Sequence, residues 1–248
     1  MVGESRLLHA ISSAGAIAAG QNVEQVEASR LVAHCSPLDD RAVEGDPTWL
    51  AAAAQRHHGI VQQLFAVGPV LPVRFGTVVE LAAIEQLLTR YQADFSEELE
   101  RLNGLAEWGV KLIARSDVLR RGAERCSAVR NLDVQIGQSN PGRAYLLKRQ
   151  REAAIADALQ VHRRSVVEQI DGVLAKAALQ RAELPLPDVM PADGEVLANL
   201  AFLVPVSAAD RFAELADAAA VAAEIQLELT GPWPPYSFVR LSLAEDQV

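Results

Sequence analysis

The stretch VLPVRFGTVVELAAIEQLLTRYQADFSEELERL, Val70 to Leu102, holds the change of period on which the fold class turns. Val70 to Val73 is a short aliphatic run with the composition of a strand. Pro72 has no N–H to give to a ladder, so the strand is expected at a sheet edge or to begin there. From Leu81 the period becomes 3.6: Ile84, Leu88, Tyr91, Phe95, Leu99 and Leu102 make one helical stripe, which Asn103 and Gly104 end. A strand that gives way so soon to an amphipathic helix calls for a mixed fold with a sheet and a helical layer.

Working outward, the segment before it reads as a helix. Asp46 is placed to cap, Pro47 suits the first turn, and Leu50, Ala54, His57, Val61 and Leu64 recur at threes and fours until Val67 and Gly68. Apolar clusters at Leu7 to Ile11 and Leu31 to Cys35 predict two further strands. Downstream, Trp108 to Ala114 predicts a strand. Asp117 to Pro141 has no clear period and contains Gly122, Gly137, Asn140 and Pro141, so an irregular connection is expected there. Gly142 to Ala182 is free of proline and carries a long stripe of Ile155, Leu159, Val166, Ile170, Val173 and Ala177, which implies a second packing layer. Pro185 and Pro187 stop it. Val196 to Val206 is strand-like, Asp210 to Ala223 is an alanine-rich helix, and Ile225 to Leu229 with Tyr236 to Leu243 give a closing strand, turn and strand. The order favours an α+β chain of two domains, 1–135 and 136–248, over a doubly wound parallel sheet.

Composition narrows the function. The 248 residues are 50% hydrophobic and 22% charged, the balance of an ordinary globular protein long enough to bury a core. With 23 basic against 32 acidic residues the net charge is −9, and the short basic stretches at Arg120 to Arg130 and Arg143 to Arg151 read as solvated helix faces. Nucleic acid is therefore not an expected partner. Cys35 and Cys126 are too few for a disulfide framework or a zinc site and suggest reduced thiols in a cytoplasmic protein. MVGESRLLHAISSAG has no cationic region ahead of a sustained apolar run, and no apolar stretch is long enough to span a bilayer, so neither export nor a lipid membrane is expected.

Chemistry-bearing motifs are scarce. There is no Walker A or GxGxxG cradle, no HExxH and no GxSxG elbow. His57 and His58 are adjacent on a helix and point about 100° apart, so they do not share one metal ion, and one is expected half-buried and the other exposed. His9, His34 and His162 are isolated. No catalytic residue, metal ligand or cofactor is expected, and enzyme activity has no positive support.

Three segments combine rings, prolines and glycines in ways that fix backbone shape. In VLPVRFGTV, Arg74 stands beside Phe75 and Gly76 among apolar residues and needs a partner or water, because a lone buried charge is prohibitive. In LNGLAEWGVKL, Glu107 and Trp108 open a strand, and Glu107 is a candidate partner for Arg74. In LTGPWPPYSFV, prolines hold Trp233, Tyr236 and Phe238 in a stiff segment that loses little entropy on docking, which suits either packing on the protein's own core or a partner-binding ledge.

Together with GRAYLLKRQ at Gly142 to Gln150, these segments in this order resemble the pattern of the GvpF/GvpL family of gas vesicle proteins. Leu7 to Ile11 lacks the aromatic-rich opening strand of that pattern, and Val79 stands where an aromatic often follows FGTV. The resemblance implies a two-domain α+β architecture with a modified ferredoxin-like C-terminal half. It also implies a non-enzymatic assembly factor or minor structural component of gas vesicles, at the vesicle or in the cytoplasm, with binding to the apolar shell subunit GvpA and other accessory Gvp proteins. A rival reading is a small-molecule or anion sensor with a ferredoxin-like domain, using Arg74, Arg120, Arg121 or Arg143 against a negative ligand.

Overall fold

A computed structural model describes residues 4–15, 23–38, 46–187, 191 and 194–241. The described strands and helices run β1 (Ser5–Ser13), β2 (Glu24–Ala28), β3 (Leu31–Pro37), α1 (Pro47–Val67), β4 (Val70–Pro72), β5 (Val78–Glu80), α2 (Leu81–Arg90), α3 (Gln92–Leu102), β6 (Leu105–Ala114), α4 (Ser116–Glu124), α5 (Ser127–Gly137), α6 (Pro141–Leu174), β7 (Gln180–Glu183), β8 (Glu195–Pro205), α7 (Ala209–Ala223) and β9 (Gln226–Trp233). The chain divides into two compact units: Met1–Glu107 with Pro205–Ser207 and Gly231–Val248, and Trp108–Val204 with Ala208–Thr230. The division falls inside β6, whereas the sequence suggested residue 135.

In the first unit β1 is central. Leu7 to Ser12 are all buried, because β3 pairs with one edge while β4 and β5 share the other. Its pairing with β3 shifts register between Leu8 and Ala10, so a bulge falls at His9 and re-aims that side chain. β4, with Pro72, ends the order β2-β3-β1-β4, the edge position a proline tolerates. Asp46 accepts from the Thr48 N–H at 3.0 Å and Pro47 occupies the first turn of α1. The buried face of α1 is Trp49, Ala53, His57, Ile60, Val61 and Leu64, while Leu50 is exposed. Ile60, Val61 and Leu64 pack with Ala10 and Val70.

The single helix predicted from Leu81 to Leu102 is two, parted at Tyr91, where φ −105° and ψ 21° leave the helical well. The predicted stripe survives the break, since Ile84, Leu88, Phe95, Leu99 and Leu102 are all buried.

Three further expectations are corrected, two in the second unit and one in the C-terminal segment of the first. Residues 117–141 are not an irregular link but two helices, α4 and α5, whose Ala123 and Val129 pack with Ile155 of α6. Gly122 misleads as a breaker: it lies within α4, and a Cβ there would land on the ring of His162. The long helix ends at Leu174 rather than Ala182. Gln180 to Glu183 instead pair antiparallel with Leu203 to Leu200, so tertiary pairing overrides the helical preference of the alanine-rich end. Finally, Tyr236 to Phe238 form a single 3₁₀ turn rather than a strand. Pro234 and Pro235 have no N–H for a ladder, and the Tyr236 and Phe238 N–H groups turn back onto the carbonyls of Pro234 and Pro235. Residues 242 and 243 of that predicted strand lie outside the described residues.

The four-stranded sheet has the order β7-β8-β6-β9. Alternate residues Ala198, Leu200, Phe202 and Val204 of β8, with Val110 and Leu112 of β6, meet Val166, Ile170 and Leu174 of α6 and Phe212 and Ala216 of α7. This is the period-2 face of a sheet against the 3.6-period stripes of two helices. It supplies the layer that the C-terminal half of α6 requires, and α4 and α5 supply the other.

Candidate functional site

A cleft of about 840 Å³ lies in the first unit. One wall is Leu71 to Val78, and the other includes Phe95, Tyr236, Val239 and Leu241. Two of the sequence segments singled out for rigid shape therefore face each other across one concavity.

The first wall is a tight turn. Gly76 has φ +92°, a left-handed conformation that glycine adopts without steric cost. The Thr77 N–H and hydroxyl both donate to the Arg74 carbonyl, at 3.2 and 2.8 Å. A turn with positive φ at its third residue and a bond from the fourth back to the first is type II. It is tied to β1 on both sides, with the Val73 N–H on the His9 carbonyl (3.0 Å) and the Leu8 N–H on the Thr77 carbonyl (2.9 Å).

The second wall is held by two buried carboxylates. Glu107 accepts from the Ser237 N–H at 2.7 Å and from the Ser237 hydroxyl at 2.8 Å. Burial pushes its pKa up, and the two bonds from Ser237 oppose that rise. Glu98 accepts two bonds from Arg101, at 2.7 and 2.6 Å, and one from the Arg240 N–H at 2.7 Å. The Arg101 guanidinium holds the Glu98 carboxyl below the usual carboxylate range, and also donates to the Phe238 carbonyl at 2.6 Å. Bonds from charged groups are the stronger kind, so Tyr236 to Arg240 is fixed at three points.

Glu107 is therefore not the partner of Arg74. Its two carboxylate oxygens each accept from Ser237, while Arg74 is exposed at the cleft lining and makes no ion pair among the described residues. Phe75 is half-buried, its ring 5.6 Å from that of His57. Trp108 belongs to the second unit, 6.1 Å from Phe212. Of the three rings of the proline-rich segment, Phe238 is buried, while Trp233 and Tyr236 are half-buried. Trp233 meets His58 edge-on at 5.2 Å, and Tyr236 stacks on His58 at 6.0 Å. Only Tyr236 of the three lines the cleft. His58, predicted exposed if His57 were half-buried, is covered on its own side by these rings, and His57 is fully buried.

Behind the turn lie buried histidines whose proximity the sequence does not signal. His9 Nδ1 and His57 Nδ1 are 3.0 Å apart, His9 Nε2 is 3.0 Å from Ser36 Oγ, and His34 Nε2 is 2.8 Å from Ser12 Oγ. Burial pushes the pKa of each of the three down to about 4, so they are neutral at physiological pH. The Glu98–Arg101 pair has a local signal, its i,i+3 spacing, but nothing local points to Ser237, Phe238 or Arg240. Among the described residues no group of three His, Cys, Asp or Glu is placed to hold a metal ion, and no helix is long and apolar enough to cross a membrane. Arg120 and Arg121, candidates for an anion site, are ion-paired with Glu124 and Glu152 and with Asp117.

Fold and cleft define the class: an α+β protein in which a glycine turn and a carboxylate-held aromatic segment frame one concavity. The chain belongs to the GvpL/GvpF family of gas vesicle synthesis proteins, whose model matches residues 4–240. It is 30% identical over 213 residues to gas vesicle protein L of Streptomyces sp. (strain CB03234), covering 84% of this chain and 76% of that one. It is 32% identical over 186 residues to gas vesicle protein F of the same strain, covering 74% and 75%. The crystal structure of GvpF from Anabaena sp. PCC7120 superposes with a TM-score of 0.71 at 18% identity, over 96% of this chain and 99% of that one; that from Microcystis aeruginosa gives 0.61 at the same identity and coverage. These two share the fold.

Proposed function

We propose that the chain is an accessory protein of gas vesicle formation that binds the apolar shell subunit GvpA, acting in the cytoplasm and at the growing vesicle together with other accessory Gvp proteins. The observation that carries this reading is the convergence of the PVRFGTV turn and the PPYSFV segment on a single cleft. Tyr236 is the contact ring, Trp233 flanks it, and Phe238 anchors the segment from beneath. A shell subunit with large apolar patches aggregates unless they are covered until delivery. A preformed cleft covers them with little ordering cost, and a net charge of −9 keeps the pair dispersed. The second unit is read as a modified ferredoxin-like fold, supported by the order β6-α6-β7-β8-α7-β9, with α4 and α5 inserted after β6, and by the sheet order β7-β8-β6-β9. Co-expression with GvpA tests the proposal: the wild-type chain is expected to raise the fraction of GvpA in the supernatant, and Tyr236→Ala to lose most of that gain, with Trp233→Ala intermediate. Equal GvpA solubility with and without the chain overturns it.

A further inference from the structure

The GRAYLLKRQ segment opens α6, and the core does not explain its most apolar residues. Leu147 points inward and is buried, but Tyr145 is 64% exposed and Leu146 61% exposed. Large apolar side chains set side by side on a solvent face mark an interaction surface when a charged rim surrounds them. Here the rim is cationic. From Pro141 to Arg151 the helix carries Arg143, Lys148, Arg149 and Arg151 and no carboxylate. Arg151 is paired with Asp133. The side chains of Arg143, Lys148 and Arg149 are exposed and make no ion pair among the described residues, in a chain whose net charge is −9.

The face continues along the helix. Gly142, Leu146, Arg149, Ala153, Ala156 and Gln160 are all exposed and fall at alternating intervals of four and three, the seven-residue period of one helix laid along another. Ile155 is turned into the core, so this stripe looks away from it. Gly142, Ala153 and Ala156 are small enough to admit a second helix closely; of the two exposed carboxylates beside the stripe, Glu152 is paired with Arg120 and Arg151, and Asp157 lies beyond the cationic stretch. The helix N-terminus adds the positive end of its dipole to the three unpaired cations.

We propose that the outer face of α6 over residues 142–160 is a docking surface for an acidic amphipathic helix of a partner protein. The apolar side of the incoming helix covers Tyr145 and Leu146, and its carboxylates meet Arg143, Lys148 and Arg149. Charge complementarity selects this occupant. A second copy of the chain, docked isologously, offers the three unpaired cations only Asp157 and Glu152, the latter already paired with Arg120. A polyanion such as a nucleic acid duplex is repelled at range by the net negative charge and makes no use of Tyr145 and Leu146.

Fluorescence anisotropy tests this with two labelled three-heptad peptides, alike in their leucines but carrying glutamate or lysine elsewhere. The glutamate peptide is expected to bind the full chain, more weakly as salt rises, and Leu146→Ser and Arg149→Glu are each expected to weaken it about tenfold. Both substitutions are on exposed positions, so unchanged circular dichroism and melting accompany them, and either variant alone suffices. The proposal is overturned if the glutamate peptide does not bind or the lysine peptide binds as well. It is also overturned if both variants bind normally, if phosphatidylglycerol vesicles or duplex DNA compete with the same sensitivity to Leu146→Ser, or if sedimentation shows a self-dimer that Arg149→Glu dissociates.

Discussion

Gly122 and His162 illustrate how much a single residue's role depends on what it meets. In the interior of an exposed helix, glycine to alanine gains about 1 kcal/mol. In α4 the missing side chain is the seat of the His162 ring, and displacing that ring costs about 1–3 kcal/mol as overpacking. Gly122→Ala is therefore expected to lower the melting temperature by a few degrees, while the same substitution in a His162→Ala background raises it. Calorimetry on the two pairs decides, and a rise in the wild-type background refutes the packing. Gly76 has the opposite reason for being glycine: open space surrounds it, but φ is +92°.

At the scale of elements, the bulge in β1 sets up a pH response. His9, His34 and His57 have folded pKa values near 4 against about 6.5 unfolded. A depressed histidine pKa means that the folded state prefers the neutral ring. Its contribution is complete above about pH 6.5 and is lost as pH falls towards 4. Melting followed by circular dichroism should thus decline from pH 6.5 downward, before ordinary carboxylates titrate, and a His9→Gln, His57→Phe double variant should decline less over that window. A flat profile from pH 6.5 to 5 refutes this.

The same scale reveals what was legible. Caps and periods were readable where the deciding contacts are local: Asp46 and Pro47 at the start of α1, Pro72 at a sheet edge, and the stripe from Ile84 to Leu102. They failed where distant segments decide, as when Leu203 draws the end of a predicted helix into β7, or when Gly122 admits a ring from forty positions on. The motif segments of the cleft could be picked out by composition, yet their meeting could not, because it depends on Glu107 choosing Ser237 and Glu98 reaching Arg240. No spacing rule links partners separated by 130 and 142 positions.

At the scale of the whole molecule, the proposed site for a shell subunit is the cleft of the first unit, and the proposed face for an acidic helix is on α6 of the second. Losing one function should leave the other intact, so Tyr236→Ala should bind the glutamate peptide normally, while Leu146→Ser should still raise GvpA solubility. The most direct measurement is site-specific photocrosslinking in cells that make gas vesicles, with a photoreactive residue replacing Arg74 at the cleft lining or, as control, exposed Arg211 on α7. An adduct containing GvpA is expected from position 74 and none from position 211. No GvpA adduct at position 74, while GvpA still co-purifies with the chain, would contradict the proposed site.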